Sequence, residues 1–272
     1  MARISDNGLF SGTVGNLSYR VHNGVNYVYA KTDRVSNPRT DAQVAHRMKL
    51  RNILNVYGRI KHALTDNFEG KTGRQSDYTH FQSLNLMLKA VPLTKAEAED
   101  RYNIVAPYKI SNGKLQTICY KLEDGVLISD LYIGAQDWNE QLTISDFTEY
   151  IVKRNENWSY NDTLEFICCK QDISGNEHRP WIDCEFINLT LDLNDFRKIK
   201  DVLGNIKVCC SAEGFLCVEA PEDGGYALVH KRYSGKKTLA STQQLAVKNA
   251  LLDTYSTPEQ MEMAVKSYQK KR

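Results

Sequence analysis

Apolar and polar residues alternate in two short runs that flank Asn23-Gly24. Such alternation is typical of strands that bury one face, and Asn-Gly between two strands favours a type I′ turn because both central residues need a positive φ. The pattern predicts strands over 17–22 and 25–30, joined as a hairpin. The glycines before the hairpin lack the spacing of a nucleotide-binding loop, so we expect them to allow a close approach of two backbones.

Apolar residues then recur every three to four positions, which is the spacing of an amphipathic helix. Thr40 and Gln43 form a capping-box pattern at the start of this stretch, and Thr257 followed by Pro258 is a helix start near the other end of the chain. The spacing predicts helices over 41–66, 76–90 and 258–270, with a turn of helix within 94–101.

From about residue 108 the chain returns to short runs separated by Gly, Asn and Asp turns. The predicted strands cover 114–121, 126–133, 148–154, 163–170, 181–191, 206–211, 214–219, 225–233 and 237–247, with a loop or short helix over 192–203. Short strands at this repeat interval are typical of an antiparallel sandwich.

These elements predict an α+β protein. It has an N-terminal β-hairpin and two helices, then an antiparallel β-sandwich (Ig-like or jelly-roll-like) and a short C-terminal helix. The expected domains are 1–107 for the hairpin and helical segment, 108–250 for the sandwich, and 251–272 for the C-terminal helix and basic tail. A hydrophobic content of 42% is enough for a packed core.

The start of the chain resembles no secretory signal, and we find no apolar run of the roughly 20 residues that cross a bilayer. We therefore expect cytoplasmic synthesis and no membrane span. Charge is unevenly placed: the net charge is +7 over residues 1–91, −11 over 92–225 and +6 over 226–272. Such asymmetry indicates complementary surfaces, either within one molecule or between copies and partners.

Seven cysteines include two adjacent pairs, Cys168-Cys169 and Cys209-Cys210. Each pair lies in an apolar run, where successive side chains point to opposite faces of a strand. We therefore expect strand packing, with metal or redox chemistry as the alternative. No histidine spacing predicts a zinc site and no catalytic motif is present, although Cys184 with His178 stays open as a nucleophile and base. The sequence predicts no enzyme and no cofactor.

Two stretches near the ends of the chain resemble an uncharacterised domain-of-unknown-function family of Bacteroides-type bacteria and their phages. The matching residues are 8–16, Asn37-Pro38-Arg39-Thr40 with Gln43 and Arg47, then 241–243 and 264–268. The resemblance implies this layout and no established activity. Its phage-like gene contexts favour a virion protein by association only.

We expect a non-enzymatic structural or assembly protein, plausibly a bacteriophage virion component such as a connector, ring or tail-associated protein. Its partners would be copies of itself and other assembly proteins. An alternative is nucleic-acid binding through a basic N-terminal helix, where arginine and lysine contact phosphates and an aromatic ring stacks on bases. The candidate interface or phosphate-contact residues are Arg39, Arg47, Arg51, Arg59, Lys61 and Tyr57.

A second alternative is a carbohydrate-binding sandwich, with Trp138, Trp158 and Trp181 as stacking platforms. Tryptophan is also a common core residue of sandwiches, which is the competing interpretation of all three.

Overall fold

The computed structural model describes residues 3–4, 8, 10–22, 24–31, 40–70, 76–88, 91–173, 179–235 and 237–269. They form two compact units, Met1–Thr40 and Asp41–Arg272.

The helices are α1 Asp41–Ile60, α2 Asp77–Asn85, α3 Lys95–Glu99, α4 Ile144–Arg154, α5 Ile199–Leu203, α6 Ala250–Tyr255 and α7 Pro258–Tyr268. The strands are β1 Arg3–Ile4, β2 Phe10–Val14, β3 Leu17–His22, β4 Val25–Ala30, β5 Lys109–Ser111, β6 Tyr120–Glu123, β7 Val126–Tyr132, β8 Thr163–Asp172, β9 Trp181–Thr190, β10 Val208–Cys210, β11 Phe215–Glu219, β12 Gly224–Ser234, β13 Lys237–Ala240, β14 Gln243–Gln244 and β15 Ala246–Lys248.

The predicted α+β class is confirmed, with an N-terminal antiparallel sheet, helices, further antiparallel sheets and a C-terminal helix. The predicted hairpin strands match β3 and β4 residue for residue. Gly24 has a φ of +78° in the turn between them, a value that glycine adopts without steric cost. Asn23, the other half of the predicted turn, lies outside the described residues.

The unit Met1–Thr40 contains one antiparallel sheet in the order β1-β2-β3-β4. A second tight turn joins β2 to β3 at Gly15, whose φ is +55°. Since the strands follow one another along the chain, each pairs with its neighbour in sequence and the sheet is a simple meander.

The unit Asp41–Arg272 is organised around a central antiparallel sheet in the order β13-β12-β8-β9, in which β15 also pairs with β12. One face of this sheet packs on helix α1 and the segments that follow it, with Ile167 and Val229 of the sheet in one core with Ile53 and Val56 of the helix. Apolar side chains on both faces explain why β8 is a nearly continuous hydrophobic run.

The opposite face of the central sheet packs on a second antiparallel sheet, in the order β10-β11-β7-β6. Leu164 and Phe166 of β8 share this second core with Leu127 of β7 and Leu216 of β11. Two facing antiparallel sheets around one apolar core agree with the sandwich arrangement expected from the strand spacing.

Residues 148–154, which we predicted to be a strand, are the second half of α4. The reason is a capping box in which the Thr143 hydroxyl accepts from the Asp146 amide while the Asp146 carboxylate accepts from the amide of Thr143. Helix α1 also ends six residues earlier than predicted, at Ile60, and the chain continues in turns with Asp66 at a φ of +61°.

Candidate interaction surface

The N-terminal sheet has two chemically different faces. Strand register places Val14 opposite Leu17, Gly12 opposite Tyr19, and Tyr19 opposite Val28. Because successive side chains alternate between faces, these positions share one face with Phe10 and Val21. We call this set the apolar face, and it consists of Phe10, Val14, Leu17, Tyr19, Val21 and Val28.

The other side of the same sheet carries polar side chains together with Tyr27 and Tyr29. The Thr13 and Ser18 hydroxyls lie 3.2 Å apart across the strands. Tyr27 and Tyr29 stack with their ring centroids 6.4 Å apart, and His22 lies beside Tyr27. Val25, Tyr27 and Tyr29 on this side are 41–53% exposed, so both sides of the sheet are open to solvent. The apolar face differs in carrying fewer polar side chains between its apolar ones.

Large apolar side chains of the apolar face are accessible to solvent. The exposed fractions are 40% for Phe10, 57% for Val14, 42% for Leu17 and 52% for Val28. Fully burying a fully exposed side chain of this size contributes roughly 1.5–3 kcal/mol, and a partner that covered this face would gain the fraction that is still exposed on each of the four. An exposed, contiguous apolar patch is typical of a surface that binds another protein.

Strand β4 ends the sheet, and all six of its residues are exposed. The outer edge of a terminal strand carries backbone N–H and C=O groups that a strand of another chain can pair with. The N-terminal sheet therefore offers both an apolar face and an edge strand for association.

The basic residues predicted on α1 lie in different surroundings. The guanidinium carbon of Arg59 is 5.8 Å from the ring centroid of Trp181. Arg51 acts on Tyr268 of α7. Burial raises the pKa of that tyrosine, and the positive charge of Arg51 lowers it in part. Arg47 is half-buried and Lys61 is exposed in the turn after the helix, while Arg39 lies outside the described residues.

Tyr57 packs inward from α1. Its ring centroid lies 5.2 Å from that of Tyr78 and 5.6 Å from that of Phe81, which is fully buried. Burial and the nearby Asp77 raise the pKa of Tyr57. The structure thus does not bring Tyr57 and the arginines into one patch with a free aromatic ring, and phosphate contact by these residues stays a prediction.

The three tryptophans also differ. Trp158 stacks on His230 with ring centroids 3.8 Å apart, and the Arg59 guanidinium lies over the ring of Trp181. Trp138 lines a cleft of about 440 Å³. Trp158 also borders a smaller cleft of about 290 Å³, but His230 already stacks on its ring.

Buried charged groups occur where β8 and β12 pair. Lys231 Nζ lies 3.0 Å from Glu165 Oε1, with both side chains at most 2% exposed. On the other face of the sheet Asp162 accepts hydrogen bonds from His230 and Arg232. The side chains of Glu165, Lys231, Asp162 and His230 are at most 2% exposed, whereas that of Arg232 is 31% exposed. Removing one partner of a buried pair is costly because it leaves the other group uncompensated in the core.

Of the two adjacent cysteine pairs, Cys168-Cys169 packs in the core as expected, whereas Cys209 and Cys210 are half-buried in β10. Cys168 belongs to the core between the sheets and Cys169 to the core under α1. The sulfur atoms of Cys169 and Cys184 lie 3.5 Å apart. His178, the histidine considered with Cys184, lies outside the described residues. Among those that are described, no three His, Cys, Asp or Glu side chains are placed to hold a metal ion.

Sequence reasoning placed the candidate site on α1 and missed the apolar face. A usable pattern was present, because Leu17, Tyr19 and Val21 alternate with Ser18 and Arg20. The alternation predicts an apolar face without revealing whether the same chain covers it.

Comparison with known proteins adds one finding. Residues 9–91 match a family of unknown function, DUF6266. No curated protein and no solved structure matches the chain. In the described part of the chain, no helix combines the length and the apolar composition needed to cross a bilayer. The matched segment begins just before β2 and extends beyond α2, so it includes the strands of the apolar face.

Proposed function

We propose that this protein is a non-enzymatic structural or assembly protein, and that it associates with further copies of itself through the N-terminal sheet. The observation that carries the proposal is the apolar face, where Phe10, Val14, Leu17 and Val28 are 40–57% exposed. Leaving such a surface in water is unfavourable, so association has a direct driving force.

A second copy of the chain fits this surface on grounds of charge. Phe10, Val14, Leu17, Tyr19, Val21 and Val28 carry no charge at neutral pH. Two apolar faces related by a two-fold axis therefore meet without like charges in contact, which is the requirement for a self-complementary interface. Edge strand β4 of one copy can also pair with β4 of the other copy about a two-fold axis.

The uneven charge along the sequence supports further contacts between copies. Residues 1–91 carry a net charge of +7 and residues 92–225 a net charge of −11. Opposite charges on different regions of identical chains favour head-to-tail attraction and speed association. Such contacts would weaken with salt, whereas contacts of the apolar face would not.

A finer version of the proposal places the assembly in a bacteriophage particle, as a connector, ring or tail-associated protein. The resemblance to a family found in phage-like gene contexts is what supports this version. A two-fold contact of the apolar faces closes at a dimer, so a ring would also need the head-to-tail contacts between the oppositely charged regions.

The test is the native mass of the full-length protein by light scattering across protein concentration, at low and high salt. We expect a discrete oligomer that persists at high salt, because apolar contacts are not screened. Val14→Glu should shift the protein toward the monomer, since it introduces a charge on the apolar face. Nucleic-acid absorbance is recorded on the same samples.

Ser11→Glu is the matched control, because Ser11 is exposed on the same strand but on the polar face. It should leave the oligomer unchanged. A wild-type monomer at every concentration, or equal effects of the two substitutions, would contradict the proposal. A mass that falls steeply with salt and co-purifies with nucleic acid would instead favour the nucleic-acid alternative.

A further inference from the structure

A cleft in the unit Asp41–Arg272 lies beside Trp138. The loop that precedes α4, helix α5 and the start of β10 surround it, and its volume is about 440 Å³. Pockets that hold small ligands usually measure about 300–1,000 Å³, so the volume suits a small organic molecule. Leu142, Ile199 and Ile206 contribute apolar side chains to its wall.

Charged side chains line the same cleft in pairs of opposite sign. Lys200 Nζ lies 3.3 Å from Glu140 Oε2, and Lys207 Nζ lies 3.7 Å from Glu219 Oε2. The four charges cancel, so the cleft has no net charge to attract an ion. The exposed amines and carboxylates can still donate and accept hydrogen bonds, because exposed ion pairs are weak and rearrange easily.

Trp138 supplies an aromatic ring to this polar setting. It is half-buried, and in the described part of the chain neither an aromatic ring nor a guanidinium group stacks on it. By contrast, His230 stacks on Trp158, which borders the smaller cleft, and the Arg59 guanidinium lies 5.8 Å from the Trp181 ring centroid. A half-buried indole anchors one side in the apolar wall and leaves the rest of the ring to contact a ligand.

We infer that the Trp138 cleft binds a neutral saccharide. A sugar ring has an apolar C–H face that packs on an aromatic ring, while its hydroxyls donate and accept hydrogen bonds. The paired lysines and glutamates offer partners for both roles without demanding a charged ligand. This inference does not depend on the proposed self-association, because it rests on residues 138–219 and not on the N-terminal sheet.

The test uses the full-length protein and a panel of defined neutral trisaccharides (cellotriose, maltotriose, triacetylchitotriose and mannotriose), with a galacturonic acid trisaccharide as the charged comparison. Binding is measured by saturation-transfer NMR and by quenching of tryptophan fluorescence. We expect at least one neutral trisaccharide to bind. Trp138→Ala should weaken it by about threefold to tenfold or more, the range that a contribution of about 0.5–1.5 kcal/mol from ring stacking implies.

Trp181→Ala is the matched control and should leave the affinity unchanged. If Trp138→Ala unfolds the protein, Lys200→Ala provides a second variant, because Lys200 is 52% exposed and its removal leaves the core intact. Lys200→Ala should also weaken the bound trisaccharide. The inference is overturned if no neutral trisaccharide binds, if only the charged one binds, or if neither cleft variant changes the affinity.

Discussion

Strands β4 and β8 have similarly apolar sequences and opposite surroundings. In β4 all six residues are exposed, whereas the first seven residues of β8 are buried. The difference arises because β8 lies between a layer of helices and a second sheet, while β4 ends its sheet. An apolar strand sequence therefore predicts a strand but not what covers it, and the uncovered one is the better candidate for an interface.

The largest expected difference between the two sheets comes from truncating one aromatic residue in each. Phe166→Ala should lower the free energy of unfolding by about 3–5 kcal/mol, because it leaves a cavity between the two packed sheets. In the monomer, at protein concentrations below those at which copies associate, Phe10→Ala should change it by less than about 0.5 kcal/mol, because Phe10 is 40% exposed. Urea unfolding of both variants measures the contrast. Equal losses would show that the N-terminal sheet has a core comparable to that of β8.

A second prediction concerns the buried ion pair of the central sheet. Lys231→Met should cost about 3 kcal/mol, because it leaves the Glu165 carboxylate without its cation in the core. Asn67 still donates to Glu165, which limits the loss. The double variant Glu165→Leu with Lys231→Met should regain most of that stability. A double variant that is no more stable than the single one would contradict this account of the pair.

A third prediction uses pH. Burial raises the pKa of Asp162, but hydrogen bonds from Arg232 and His230 outweigh it and hold that pKa below its usual value. The resulting stabilisation is complete above the unfolded pKa of about 3.9 and is lost as the pH falls through the folded pKa. Asp162→Asn should cost about 2 kcal/mol at neutral pH and progressively less below pH of about 4.

Unfolding of wild type and Asp162→Asn at matched pH values tests this third prediction. Because the two proteins differ only at Asp162, the pH-dependent part of the difference reports the unit Asp41–Arg272 that contains it. A constant difference between the two proteins from neutral to acidic pH would contradict it.

The smallest expected effect tests the segment where a strand was predicted and a helix was found. Thr143→Ala should destabilise the protein by about 1 kcal/mol, because it removes the capping bond to the Asp146 amide. Thr143→Ser is the conservative control and should retain most of the stability. An unchanged midpoint of urea unfolding for Thr143→Ala would show that packing of Phe147 and Ile151, and not the cap, holds α4 in place.

Local sequence patterns predicted most of the secondary structure because tight turns and helix caps depend on interactions among a few neighbouring residues. Asn23-Gly24 between alternating runs predicted β3 and β4, and Thr257 with Pro258 predicted α7, where Thr257 accepts from the Gln260 amide. The prediction failed at 148–154 because this run of mixed apolar and polar residues fits both the two-residue period of a strand and the 3.6-residue period of a helix. The capping residues that decide for a helix lie just before that run.

The sequence by itself determined the α+β class, most of the strands and helices, and the uneven distribution of charge. The strands and helices follow from the spacing of side chains along a few neighbouring residues, and the charge follows directly from the composition of each segment. Only the tertiary structure decided which apolar faces are covered, that Tyr57 packs inward, that Arg59 lies over Trp181 and that Trp138 borders a cleft. Burial depends on contacts between residues far apart in the chain, and a one-dimensional pattern does not specify which of its apolar faces meet.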